Sequence, residues 1–181
     1  YRRADGKAGV RNHVLVIPSV VCSQGAAEAI TRNLKGTAYL ANVFGCAQVG
    51  ADRAQTKRTL VGFGTNPNVF AVLVVGNGCE NLPAKEIAEA LVPGGKRVEF
   101  IEIQDVGGTK KTIAKGRKIV KEMLAGAAAQ QREPIPLSEL ILATECGGSD
   151  YTSGLASNPA LGAASDLVVE AGGTVILSET T

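Results

Sequence analysis

The sequence predicts an α/β fold, a Rossmann-like or flavodoxin-like, mostly parallel sheet with helices on both faces. Three observations lead there. Short apolar runs alternate with longer stretches whose apolar residues recur at helical spacing, the order of βαβ units. Hydrophobic residues make up 45% of the chain but aromatic residues only 4%, and there is no Trp. Val, Ile, Leu and Ala must therefore build the core, as they do in parallel strands covered by helices. At 181 residues the chain is long enough to bury one sizeable core of this kind.

The elements follow in order. Residues 1–12, YRRADGKAGVRN, are polar and glycine-punctuated and read as an arm. HVLVIPSVV (13–21) reads as a buried strand, QGAAEAITRNL (24–34) as a small-residue helix and TAYLANVF (37–44) as a second strand. ADRAQTKRTLVGFG (51–64) is a helix, with Ala54, Leu60 and Val61 inward. After the NPN turn, VFAVLVVGN (69–77) is the clearest strand. PAKEIAEALV (83–92) opens with Pro, as helices tolerate, and PGG ends it. RVEFIEI (97–103) is a strand and residues 109–131 a long helix. The two prolines of REPIPLS (132–138) mark a linker. ELILATE (139–145), PALGAASDLVVEAG (159–172) and GTVILSE (173–179) read as strand, helix and strand. Two segments result: an α/β domain with a polar arm over 1–131, and over 132–181 a linker and the first βαβ unit of a following lobe or of the same sheet.

Net charge is +2, from 19 basic and 17 acidic residues, which gives no footprint for nucleic acid. The basic run TKKTIAKGRKIVK (109–121) reads as a solvated helix face. No apolar stretch reaches the roughly 18 residues of a membrane span. No GxGxxG follows the first strand and no GxxxxGK[ST] occurs, which counts against dinucleotides and nucleoside triphosphates. Gly172, Gly173 and Thr174 suit either a phosphate loop or a glycine helix cap. No signal peptide opens the chain, so a cytoplasmic location is expected. A start at Tyr1, a lone Met123 and a stop after a strand-like run suggest a piece of a longer polypeptide.

Each of the four cysteines follows a predicted strand: Cys22, Cys46, Cys79 and Cys146. In an open α/β sheet the ligand crevice lies beyond the strands' carboxyl ends. A chain this size needs no disulfide staples, so thiol or metal chemistry is the better reading. The alternative is that some are small core residues. Polar neighbours favour a site: Glu80 beside Cys79, Glu145 beside Cys146 with Ser149 and Asp150 close by, Gln48 near Cys46, and Ser19 near Cys22. Glycines in these loops would let backbone amides approach an anion. Carboxylates with thiolates, and no spare His, suit Fe(II) or another divalent metal better than a zinc ribbon, with an iron–sulfur site a further option. His13, the single histidine, opens a strand and reads as structural.

YRRADGKAGVRN, IPSVVCS, FGCAQVGAD, NPNVFAVLVVGNGCE, IQDVGGT and ECGGSDYTSGLASNPALGAASDLVVEAGGTVILSET together resemble the altronate/galactarate dehydratase family, which also contains the large subunit of sulfolactate sulfo-lyase. The resemblance covers nearly the whole chain and implies its central portion, between an N-terminal module and a C-terminal lobe. It implies a metal-dependent lyase, with iron usually implicated, acting on a small acidic substrate. Sugar acids would lose water to give 2-keto-3-deoxy acids; sulfolactate would lose sulfite. Under this resemblance Glu145, Cys146, Asp150 and Glu80 are the catalytic candidates. Arg11, Asn12, Ser149, Ser153, Asn158 and Gln48 would bind substrate, and Cys46, Cys79 and Cys146 would ligate the metal. Partners would be the missing module and lobe, with a homo-oligomer open. Two departures bear on the substrate: Asn42 stands where a His is expected, and GCAQ replaces GCGQ. A non-catalytic scaffold fragment is the reading from another class.

Overall fold

Strand β1 (His13–Pro18) is buried on both faces. Val14 and Val16 join one apolar cluster and Leu15 and Ile17 another. Period-two alternation sends successive side chains to opposite faces, so two clusters mean two covered faces. The computed structural model describes residues 1–178 and divides into two compact units, residues 1–132 and those from 133 onward.

The first unit holds a four-stranded parallel sheet in the order β2-β1-β3-β4, with β2 Thr37–Tyr39, β3 Val69–Gly76 and β4 Arg97–Glu102. Helices α1 (Val21–Thr31) and α5 (Thr109–Ala129) cover one face through Ala26, Ala27, Ile30, Val120 and Met123. Helices α2 (Gly50–Thr65) and α3 (Ala84–Leu91) cover the other through Leu60, Ile87 and Leu91. Each fully buried aliphatic side chain contributes about 1.5–3 kcal/mol. A short helix, α4 (Ile103–Val106), joins β4 to α5 and ends at Gly107, whose φ of 87° favours glycine.

Helix α5 shows how pattern becomes packing. Thr112, Gly116, Val120, Met123 and Ala127 recur every three or four residues and are its buried residues. Lys110, Lys111, Lys115, Lys118 and Lys121 stay exposed, as a solvated face should. The arm is also fixed. Arg3 is buried, and its guanidinium donates to the Pro67 carbonyl (2.6 Å), Gln130 Oε1 (3.1 Å) and the Arg11 carbonyl (3.1 Å).

Helix α1 and strand β2 differ from expectation. Helix α1 starts at Val21, directly after the strand. Strand β2 ends at Tyr39 instead of running to residue 44. Beyond Leu40 the chain turns across the end of β1, where the Asn42 amide donates to the Pro18 carbonyl (3.0 Å) and the Val21 amide to the Phe44 carbonyl (3.1 Å). Of the two alternatives for the second segment the structure has the separate one: β5 (Ile141–Thr144) and β6 (Thr174–Leu177) pair in parallel as a two-stranded sheet of their own.

The second unit is a βαβ turn. Between β5 and β6 lie a π-helical stretch, Ser153–Ser157, and helix α6 (Asn158–Glu170). Gly172 has φ 82°, and the amides of Gly172 and Gly173 donate to the carbonyls of Val169 and Val168. These glycines therefore end a helix and form no phosphate loop. Residue 179, expected in the last strand, lies outside the described residues.

Candidate active site

In a parallel sheet all strands leave at one rim, and the order β2-β1-β3 sets the loops of Cys46 and Cys79 and the first turn of α1, with Cys22, there. All four cysteines are free and exposed, which removes the reading of core thiols. They do not gather into a ligand set. No group of three or more His, Cys, Asp or Glu side chains that could hold a metal occurs among the described residues. The described residues alone therefore do not fit a resident metal, and no chemical step is routed through one here.

Glu80 is buried at the crevice between β1 and β3, where the connections turn to opposite sides of the sheet. Its Oε1 accepts from Ser19 Oγ (2.6 Å) and the Asn77 amide (3.1 Å). Its Oε2 accepts from the amides of Gly78 (2.7 Å) and Cys79 (3.0 Å). Burial alone would raise its pKa, but these hydrogen bonds outweigh burial and hold the carboxyl below its ordinary value. Nearby Glu102 is pushed the other way, first by burial and then by the charges of Asp105 and Glu80. Asn77 Nδ2 lies 3.1 Å from Cys79 Sγ. Gln48 is also engaged in its own loop: Oε1 accepts from the Gly45 amide (3.0 Å) and its carbonyl from the Asn81 side chain. It lines a cleft of about 440 Å³ with Asn42, Phe44 and residues of α2.

Arg11, Asn12 and His13 are not at this rim. They precede or open β1, one strand length away, about 20 Å. Asn12 Nδ2 is committed to the Ala127 carbonyl (2.8 Å). Residues that precede a strand lie at its amino end, opposite the crevice, so the family motif and not chain order made Arg11 and Asn12 candidates.

The second unit gathers more of the candidates. A cavity of about 570 Å³ at the carboxyl end of β5 is lined by Glu145, Cys146, Ser149, Ser153 and Asn158. Thr144, Ser157, Leu161 and Ser178 complete it, with the backbone of Gly147 and Gly148. No heavy atom lies within 4 Å of where a Cβ at either glycine would stand, so their backbone is open to a ligand. Ser178 Oγ contacts the Thr144 carbonyl and lies 3.0 Å from Glu145 Oε2, and Cys146 Sγ lies 3.5 Å from Ser149 Oγ. No Lys, Arg or His lines the cavity among the described residues.

Asp150 borders this cavity without lining it. Its Oδ1 accepts from Thr152 Oγ1 (2.5 Å) and the Thr152 amide (2.7 Å), while its own amide donates to Ser153 Oγ (3.0 Å). These Thr152 bonds keep its pKa below the ordinary value. Asp150 thus starts the helical stretch that presents Ser153, Ser157 and Asn158 to one face. Such π-turns re-aim side chains and recur at functional sites. Ser157 and Ser178 were not among the candidates. Ser178 follows a strand end, the same signal that marked the cysteines.

Comparison with known proteins agrees with this division. Residues 1–128 match the family described as D-galactarate dehydratase/Altronate hydrolase, second domain, and residues 137–181 match D-galactarate/Altronate dehydratase, C-terminal. The chain is 42% identical over 180 residues to the (2R)-sulfolactate sulfo-lyase subunit beta of Chromohalobacter salexigens. It is 40% identical over 190 residues to an altronate dehydratase of Bacillus subtilis, and 33% over 205 residues to a galactarate dehydratase (L-threo-forming) of Escherichia coli. These alignments cover 99%, 99% and 100% of this chain but only 46%, 38% and 38% of the relatives, so it spans less than half their length.

Proposed function

The chain belongs to the D-galactarate/altronate dehydratase family, and from that premise we propose that it is part of a hydro-lyase that dehydrates a sugar acid such as altronate or galactarate to a 2-keto-3-deoxy acid. The observation that carries the proposal is the cavity at the end of β5, where a carboxylate, a thiol and several hydroxyls share one wall.

The hydroxyls of Ser149 and Ser153 and the Asn158 amide hold the polyol, and the open Gly147–Gly148 backbone meets its acid end. Glu145, exposed and beside Ser178, takes the proton from the carbon beside the substrate carboxylate. A double bond forms as the neighbouring C–O bond breaks. The Cys146 thiol supplies the proton that turns the leaving hydroxide into water, and the enol then tautomerises to the keto acid. Asp150 serves by capping the helical stretch.

A divalent metal, Fe(II) first, stays in the proposal for the full-length protein, where it would supply Lewis-acid chemistry when bound. Cys46 and Cys79 of the first unit are the thiols offered for it, with further donors from substrate or the rest of the full-length protein, while Cys146 of the second unit keeps its proton for the leaving hydroxide. A cytoplasmic location and association with the remaining modules complete the reading. No helix among the described residues is long and apolar enough to cross a membrane.

The 42% identity to a sulfo-lyase subunit supports a second substrate, sulfolactate. The test is one coupled assay of full-length protein, purified without oxygen and with its metal content measured, against altronate, galactarate and sulfolactate. Keto acid from a sugar acid, with a divalent metal in the active sample, is the expected result. Pyruvate and sulfite from sulfolactate alone would move the assignment to the second substrate. No product from any of the three would end the lyase reading.

A further inference from the structure

The Glu80 carboxylate stands where a doubly wound sheet ordinarily receives a ligand. Successive backbone amides that converge in such a loop form a concavity for an anion. Here the amides of Asn77, Gly78 and Cys79 all converge, at 2.7–3.1 Å, on a carboxylate that belongs to the chain. Ser19, at the end of β1, donates a further bond of 2.6 Å. Every acceptor oxygen is engaged, so no lone pair is presented to a substrate proton without breaking this set.

The surroundings are shaped for this arrangement. A Cβ at Gly76 would lie 2.5 Å from Glu80 Oε1 and 2.9 Å from the Ala84 Cβ, so the carboxylate fits only against a glycine. Gly78 has φ 108°, and a Cβ there would lie 2.9 Å from Gln104 Oε1. The left-handed turn brings its amide onto Glu80. A buried charge is costly unless it is paired or fully hydrogen-bonded, and this one is bonded four times over.

We propose that Glu80 is a positioning residue: its carboxylate is the internal anion of the crevice between β1 and β3, and it fixes the Asn77–Cys79 loop and the Cys79 thiol without acting as acid or base. The part of the proposal that concerns turnover rests on the lyase reading above; the part that concerns the loop does not.

The test uses full-length protein. In Glu80→Ala, hydrogen exchange at the Asn77, Gly78 and Cys79 amides and alkylation of Cys79 by iodoacetamide both accelerate about tenfold or more, the loss of charge-assisted bonds. Amides inside β1 and β3 keep their protection. Added acetate, seated in the vacated space, restores protection, and any turnover returns in step with it. Unchanged exchange at the three amides overturns the proposal. So does acetate that restores turnover while the loop stays open, because the carboxylate would then act on substrate. If Glu80→Ala does not fold, Ser19→Ala replaces it, with exchange at the same amides rising about twofold or more; no change there overturns the proposal equally. The exchange readout needs no catalysis, so failure of the lyase reading and failure of this one are told apart.

Discussion

At Glu86 one carboxylate accepts from both terminal nitrogens of Arg53, at 3.2 and 2.5 Å, and from Lys57 at 2.9 Å. Arg53 also reaches the Asn81 carbonyl (2.7 Å), and the Asn81 side chain reaches Gln48. Three charges thus tie α2 to α3 and brace the loops that follow β2 and β3. Arg53, and after it Lys57, hold the Glu86 carboxyl below its ordinary 4.5. A depressed folded pKa means that the unfolded chain binds more protons in acid. The contribution is therefore complete above about pH 5 and is lost as pH falls through the folded pKa. Glu86→Gln should cost about 1 kcal/mol at pH 7, and the gap to wild type should close towards pH 3. Urea midpoints at pH 7, 5 and 3 measure this; a gap independent of pH would contradict it. Asn42 has a comparable bracing role. It is buried, donates to Pro18, accepts from the Phe44 amide (3.1 Å), and its own amide reaches Gln24 Oε1 (3.0 Å). In place of the His that the resemblance led one to expect stands a buried anchor whose side-chain amide both donates and accepts.

At the scale of elements, α1 and α5 meet where Gly116 faces Ile30 and Ile101, and a Cβ at Gly116 would overlap the Ile30 side chain. Gly116→Leu should destabilise by about 1–3 kcal/mol through overpacking. Gly62→Leu on α2, where nothing lies within 4 Å, should not. A thermal melt of each variant decides it, and equal losses would remove close helix approach as the cause. The elements themselves were legible wherever one rule governed. VFAVLVVG is apolar throughout and is buried along most of its length, so β3 read clearly. Strand β2 was overread because Val43 and Phe44 are apolar yet 65% and 58% exposed, in a loop held by Asn42. The site divides in the same way. Glu145, Cys146, Ser149, Ser153 and Asn158 are close in sequence and share one cavity. Ser178 enters it only through the β5–β6 pairing, which local pattern does not encode. The state of Glu80 depends on Ser19, 61 residues away, and was equally hidden.

At the scale of the molecule the two units differ in kind. The first covers its sheet on both faces. In the second, Thr144 is the one buried residue among those described, while Leu155, Leu167 and Leu177 are 68–79% exposed. A βαβ turn with so little core does not account for its own stability. The matched domains meet at the linker, residues 1–128 on one side and 137–181 on the other, within relatives more than twice as long. The cavity that carries the functional proposal thus lies in a unit with little core of its own, within a chain that spans less than half the length of these relatives. The most direct measurement is turnover of full-length Glu145→Gln on the sugar acid that wild type dehydrates, with its melting temperature beside it. Loss of the proton-accepting carboxylate should lower kcat by roughly 10²–10⁴-fold with the melting temperature unchanged. Wild-type turnover in that variant would contradict the assignment of the β5 cavity as the site of proton abstraction.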